Sequence, residues 1–283
     1  MSDSFIDLLK VVDHSGTAKI HLSDAWTQGR AMFGGVVAAL AIRVANMHHL
    51  KIIKNQIQNI ADAKALLRSA QILFLAPIES GDVVFTAKLL RQGRSVTHYR
   101  VEGVQDDAIK IEVLCTIASP RDTSIADHNW ITTPNLSLPD SVKDLPFVPN
   151  IMPNFSQRFQ YRWLTGGALM SGSQDNKIGG WCRAHDVVAQ TESVKPYWQE
   201  LLVCLADAWP PAVLSRATKI APASSMSWML EWVQPITSYA PDQWFGFTET
   251  IDSLHKGYAA THHILWAAQQ QPLIIGRQTI AYF

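Results

Sequence analysis

The hydrophobic pattern changes its period along the chain. Residues 26–50 read WTQGRAMFGGVVAALAIRVANMHHL. After Gly34-Gly35 they are apolar on nearly every side until Arg43, which predicts a wholly buried helix. Its small residues, Gly35, Ala38, Ala39 and Ala41, let it lie close against a sheet. Residues 51–69 are more polar and fit either a loop or a second helix. Beyond them come four runs rich in β-branched and aromatic residues: AQILFLAPI, DVVFTAKLLRQ, SVTHYRVEGV and IKIEVLCTIAS. Turn signals separate them at Glu79-Ser80-Gly81, Gln92-Gly93 and Gln105-Asp106-Asp107, so residues 70–119 predict antiparallel strands.

Residues 120–155 hold Pro120, Pro134, Pro139, Pro146, Pro149 and Pro153 and few apolar runs, the composition of a linker. After it the plan repeats. FSQRFQYRWL and GGWCRAH predict strands, and SVKPYWQELLVCLADAW predicts a helix stopped by Pro210-Pro211. SSMSWMLEWV, DQWFGFTETIDS, GYAATHHILWAA and PLIIGRQTIAYF predict a second meander. QGRSVTHYRVEGVQDD echoes HKGYAATHHILWAAQQ, and Ala76-Pro77-Ile78 echoes Gln234-Pro235-Ile236. The reading is an α+β chain with an N-terminal unit over 1–120, a linker over 121–155 and a C-terminal unit over 156–283. One such unit cannot bury both sides of its sheet. Pairing the two edge to edge gives a continuous sheet with both helices against it.

Composition narrows the function. The 283 residues are 47% hydrophobic and 17% charged, enough for a large core. Lys+Arg and Asp+Glu are both 24, so the basic excess of a nucleic-acid binder is missing. The three cysteines, Cys115, Cys182 and Cys204, are far apart in sequence, which predicts neither a zinc site nor a disulfide scaffold. MSDSFIDLLKVVD lacks the basic and apolar regions of a signal peptide. The most apolar stretch, Ala31 to Ile42, is short for a bilayer. The expectation is a cytoplasmic protein with no membrane partner. No GxSxG elbow, P-loop or GxGxxG fingerprint occurs. The His-His pairs at 48–49 and 262–263 lack metal-site spacing and are expected to end a helix and to punctuate a strand.

Four segments together resemble the acyl-CoA thioesterase II family: WTQGRAMFGGVVAALAIR (26–43), GRSVTHYRVEGVQDD (93–107), LADAWPPAVLSR (205–216) and GRQTIAYF (276–283). APASSMSWMLEWV (221–233) fits more loosely. The resemblance spans about Trp26 to Phe283. It implies a double hot-dog fold, an acyl-CoA substrate, no metal or other cofactor, and assembly into a homodimer or homotetramer. It also implies a water-activating trio, carried here by Asp207, Ser225 and Gln278. Two positions depart from the family: Ser225 stands where Thr is common, and Ser227 where Asp is common.

The chemistry of these residues is consistent with such a role but does not require it. Asp207 closes an apolar helix at the negative end of its dipole, so its charge needs partners or becomes a poised base. Gln278 alternates with Ile274, Gly276, Ile280 and Tyr282, an amide on an apolar face. By simple alternation Ser225 shares a face with Ser227, Met229 and Glu231, opposite Trp228, Leu230 and Trp232, which also reads as a plain solvent face. Free N–H groups near Phe33, Gly34 and Gly35 suit an oxyanion, although the glycines equally suit close packing. Arg30 and Arg94 could meet CoA phosphates. Two alternatives stay open: a hot-dog dehydratase using His98, and a non-catalytic acyl or acyl-CoA binding protein in which the two serines mark lost chemistry.

Overall fold

A computed structural model describes residues 4–54, 66–185, 194–219, 222–234 and 239–283. The predicted elements form where the patterns place them. Helix α1 (Phe5–Lys10) and strand β1 (Thr17–Leu22) precede a small ribbon, β2 (Thr27–Gln28) and β3 (Ala31–Met32). The long helix α2 (Gly34–Lys54) follows, then β4 (Leu66–Phe74), β5 (Gly81–Gln92), β6 (Val96–Gln105) and β7 (Ala108–Ala118). After the linker come β8 (Phe159–Thr165), β9 (Lys177–Ala184), helix α3 (Trp198–Asp207), β10 (Ala223–Trp232), β11 (Phe245–His255), β12 (Tyr258–Trp266) and β13 (Pro272–Tyr282). Of the segment left open between loop and helix, residues 55–65 lie outside the described residues, as do Pro235 and Ile236 of the proposed echo.

Eleven strands make one sheet, in the order β1-β5-β6-β7-β4-β10-β13-β12-β11-β9-β8. The two halves meet at β4 and β10, where Ser227 faces Leu73 and Glu231 faces Ser69 in antiparallel register. This is the edge-to-edge pairing expected from two units that each expose one sheet face. The echoed segments occupy equivalent places: β6 lies between β5 and β7, and β12 between β11 and β13. The turn at Asp106-Asp107 and its echo at Gln270 both take left-handed backbone.

The inner face of the sheet wraps the two long helices. α2 is buried nearly all round from Gly35 to Ala45. It extends past both His48 and His49, so this pair lies within the helix rather than ending it. By length and composition α2 could cross a bilayer, but 61% of that window is buried inside the protein, as in a core helix. The helices run antiparallel. Arg43 and Asn46 of α2 meet the start of α3, where Asn46 Nδ2 donates to Glu200 Oε1 at 3.0 Å and Arg43 Nη1 lies 3.7 Å from the same oxygen. The other ends bring Gly34 and Gly35 onto Asp207.

The linker is pinned across the C-terminal half. Arg162 Nε donates to Asp144 Oδ1 at 2.6 Å, and the Leu145 N–H donates to the Tyr161 carbonyl at 2.7 Å. Residues 145–156 thereby form one wall of the cavity described next.

Candidate active site

Asp207 is the last residue of α3, and three contacts hold the chain there. Tyr161 O–H donates to the Ala208 carbonyl at 2.9 Å, Gln278 Nε2 donates to Asp207 Oδ1 at 3.1 Å, and the Gly35 N–H donates to the same carboxylate. The carboxylate therefore sits at the N-terminus of α2, where free amides and the positive dipole end favour an anion. That offsets the unfavourable end of its own helix. The side chain is partly open to the cavity but lies deep in the protein. Burial pushes its carboxyl up to about 7, against the opposing hydrogen bonds from Gln278 and Gly35.

The glycines make this approach possible. A Cβ on Gly34 would come 2.9 Å from Asp207 Oδ2. One on Gly35 would overlap Phe33 Cζ and come 3.1 Å from Asp207 Cβ. The Phe33 ring cannot retreat, because it stacks on Phe155 with centroids 4.0 Å apart.

Ser225 reaches the same face through a bulge. Within β10 it pairs with Ile280, whereas Trp228 pairs with Gln278, and the register shifts between Ser225 and Ser227. Met226 is the extra residue. Ser225, Trp228 and Gln278 therefore all face the helices, correcting the simple alternation that put Ser225 with Ser227. Ser227 pairs with the exposed Thr279 and faces outward.

These residues line a cavity of about 1210 Å³. Asp207, Gln278, Ser225 and Gly34 are among its polar lining. Val37, Phe74, Phe155, Tyr161, Trp163 and Phe247 supply apolar wall. Among the described residues its only lysine or arginine side chains are Arg30 and Lys110.

Residues 22–119 match the family profile of the acyl-CoA thioesterase N-terminal domain, and residues 139–282 that of its C-terminal domain. The chain belongs to the acyl-CoA thioesterase family. No curated protein matches it in sequence. Its fold resembles a conserved protein of unknown function with hot dog fold from Alicyclobacillus acidocaldarius (TM-score 0.79, 16% identity, covering 100% of this chain and 99% of that one). It also resembles the tesB protein of Mycobacterium avium subs paratuberculosis (0.72, 14%, 99% and 98%) and acyl-CoA thioesterase II TesB2 from Mycobacterium marinum (0.69, 15%, 99% and 98%). The expected double hot-dog fold is the observed one.

In this thioesterase-family chain the structure gathers Asp207, Ser225, Gln278, Gly34 and Gly35 at one place. It does not bring in the rest. The Phe33 N–H donates to the Trp26 carbonyl at 2.9 Å, and the Gly35 N–H is engaged by Asp207, which leaves Gly34 as the helix-start amide for an oxyanion. Arg94 is exposed in the β5–β6 turn, at the Ala118 end of β7, whereas the cavity is at the Lys110 end. His98 lies on the outward face of β6, beside Thr116, away from the cavity. No group of His, Cys, Asp and Glu suited to a metal occurs among the described residues.

The sequence reading missed Glu249. It lines the same cavity, is 2% exposed, and shares the inner face of β11 with Phe245, Phe247 and Ile251. The available signal was an acid breaking the apolar alternation of FGFTETI. The Ala212 N–H donates to its Oε2 at 2.8 Å. Burial pushes its carboxyl up to about 7, and the nearby Asp207 charge pushes the same way.

Proposed function

We propose that this protein hydrolyses acyl-CoA thioesters by single displacement, with Asp207 as general base. The observation that carries the reading is a carboxyl held near neutral proton affinity, tied to Gln278, at the polar part of a large apolar cavity. A base of that affinity is half ionised near pH 7 and accepts a proton readily there. Asp207 and Gln278 hold the attacking water, Ser225 adds a hydroxyl on the same face, and the Gly34 N–H at the start of α2 receives the developing oxyanion. The acyl chain occupies the apolar wall. The CoA phosphates meet Arg30 and Lys110, the cations of the cavity.

The test is free-thiol release from a panel of acyl-CoAs, short to long. The reading expects saturable turnover with a chain-length optimum. Saturable binding without turnover on any chain length contradicts it.

A further inference from the structure

Asp207 does not stand alone in the cavity, and the second acid is the more deeply buried of the two. Asp207 accepts from Gln278 Nε2 and from the Gly35 N–H at a helix N-terminus. Glu249 accepts one backbone N–H, that of Ala212, on Oε2. The buried Thr261 hydroxyl favours its ionised form, but neither that hydroxyl nor Glu249 Oε1 meets hydrogen-bond geometry with a protein partner. Thr261 pairs directly with Gln278 across β12 and β13, and Glu249 pairs with His263 across β11 and β12. The two acids thus flank one stretch of inner face that carries Gln278 and Thr261.

A buried carboxylate with an orphaned oxygen is costly as an anion and cheaper as a neutral acid. Two carboxyls in one cavity do not ionise independently. Asp207, partly open to the cavity at a helix N-terminus, takes the charge, and Glu249, 2% exposed with Oε1 unpartnered, keeps the proton. We propose that the two form an acid–base couple in which Asp207 takes the proton of the attacking water and Glu249 delivers one to the departing sulfur. This rests on the hydrolase reading above.

The step balances. As water's oxygen bonds to the carbonyl carbon, its proton goes to Asp207. The carbon–sulfur bond then breaks, its electron pair stays on sulfur, and sulfur takes the Glu249 proton. The products are a carboxylic acid and a thiol, with Asp207 protonated and Glu249 ionised. Transfer of the proton from Asp207 to Glu249 restores the couple, and the acid product ionises in solvent.

Other titratable groups around the pair stay neutral. Burial pushes up the thiols of Cys204 on α3 and Cys182 on β9 and the Tyr161 phenol on β8, and pushes His263 on β12 down to about 3. Arg30 and Lys110 also lie on the cavity wall. The carboxyls that burial pushes up in this site are those of Asp207 and Glu249.

The test compares Glu249→Gln with wild type on an acyl-CoA and on the 4-nitrothiophenyl thioester of the same acyl group. The amide can still accept the Ala212 N–H but cannot supply the proton. A leaving group that departs readily as thiolate does not need one. The couple predicts a loss of roughly a hundredfold in kcat on the acyl-CoA and a loss of only a few-fold on the aryl ester. Equal losses on both, or no loss, overturn the couple while leaving the hydrolase reading intact. Wild type inactive on both esters overturns the two together. If Glu249→Gln does not fold, the wild-type pH profile serves instead. The alkaline limb, where Glu249 loses its proton, should appear with the acyl-CoA and flatten with the aryl ester; identical limbs overturn the couple.

Discussion

Gln278 Nε2 donates to Asp207 Oδ1 at 3.1 Å, joining the end of α3 to β13 in the middle of the sheet. With the Gly35 N–H, this contact sets where the carboxylate points, and in the proposed mechanism it keeps one amide proton beside the attacking water. Gln278→Ala removes both effects while leaving the cavity walls in place. It should lower kcat by roughly a hundredfold with little change in KM, as expected for an interaction used mainly in the transition state. Steady-state thiol release measures both constants.

Gly34 has no room for a methyl group, because a Cβ would meet Asp207 Oδ2 at 2.9 Å and Phe74 Cζ at 3.1 Å. Gly34→Ala should cost about 1–3 kcal/mol in stability, the usual penalty of overpacking. It should also reduce turnover more than the stability loss explains, because the displaced group is the proposed base. Thermal unfolding and turnover on the same sample separate the two effects.

The bulge at Met226 makes neighbouring serines unequal. Ser225→Ala should slow turnover about tenfold, the loss of one neutral hydrogen bond to the reacting water. Ser227→Ala, on the outward face, should be within twofold of wild type. A larger effect at Ser227 than at Ser225 would contradict the register of β10.

Stability should depend on pH in a direction that betrays the site. Asp207 and Glu249 have raised proton affinity in the folded protein, so between about pH 4 and 7 the folded state holds more protons than the unfolded state. Their contribution is present below about pH 4 and is lost as pH rises through about 7. His263, pushed down to about 3, acts oppositely: its contribution is present above about pH 6.5 and is lost as pH falls towards 3. Asp207→Asn should therefore raise the unfolding free energy at pH 8, by an amount on the order of a few kcal/mol at most. The gain should shrink steadily towards pH 4. A destabilised variant at pH 8 would contradict the burial assigned to this carboxylate.

The strands, the buried helix and the linker were legible because each leaves a periodic or compositional trace. AQILFLAPI through IKIEVLCTIAS became β4–β7 with shifts of only a few residues at their ends. Asp207 and Gln278 were singled out through family resemblance; chemistry alone favoured an ordinary exposed acid and an ordinary core amide, and their hydrogen bond is what the structure adds. What failed was tertiary. Alternation put Ser225 on the wrong face because one extra residue, Met226, resets the period without changing the local pattern. The amide of Phe33 looked free, but the chain returns it to Trp26, a contact that no spacing announces. Arg94 sits in a recognised motif but in the β5–β6 turn, at the end of the sheet away from the cavity. Glu249 went unnoticed because a lone acid between Thr248 and Thr250 looks like surface until Phe245, Phe247 and Ile251 are seen to share its face.

The central claim is tested most directly by Asp207→Asn, assayed beside wild type for free-thiol release from the best acyl-CoA. The substitution keeps the acceptor for Gln278 and removes the base. The account predicts a fall in kcat of roughly a hundredfold or more with the fold retained. Turnover unchanged in the folded variant would contradict it and place the chemistry elsewhere.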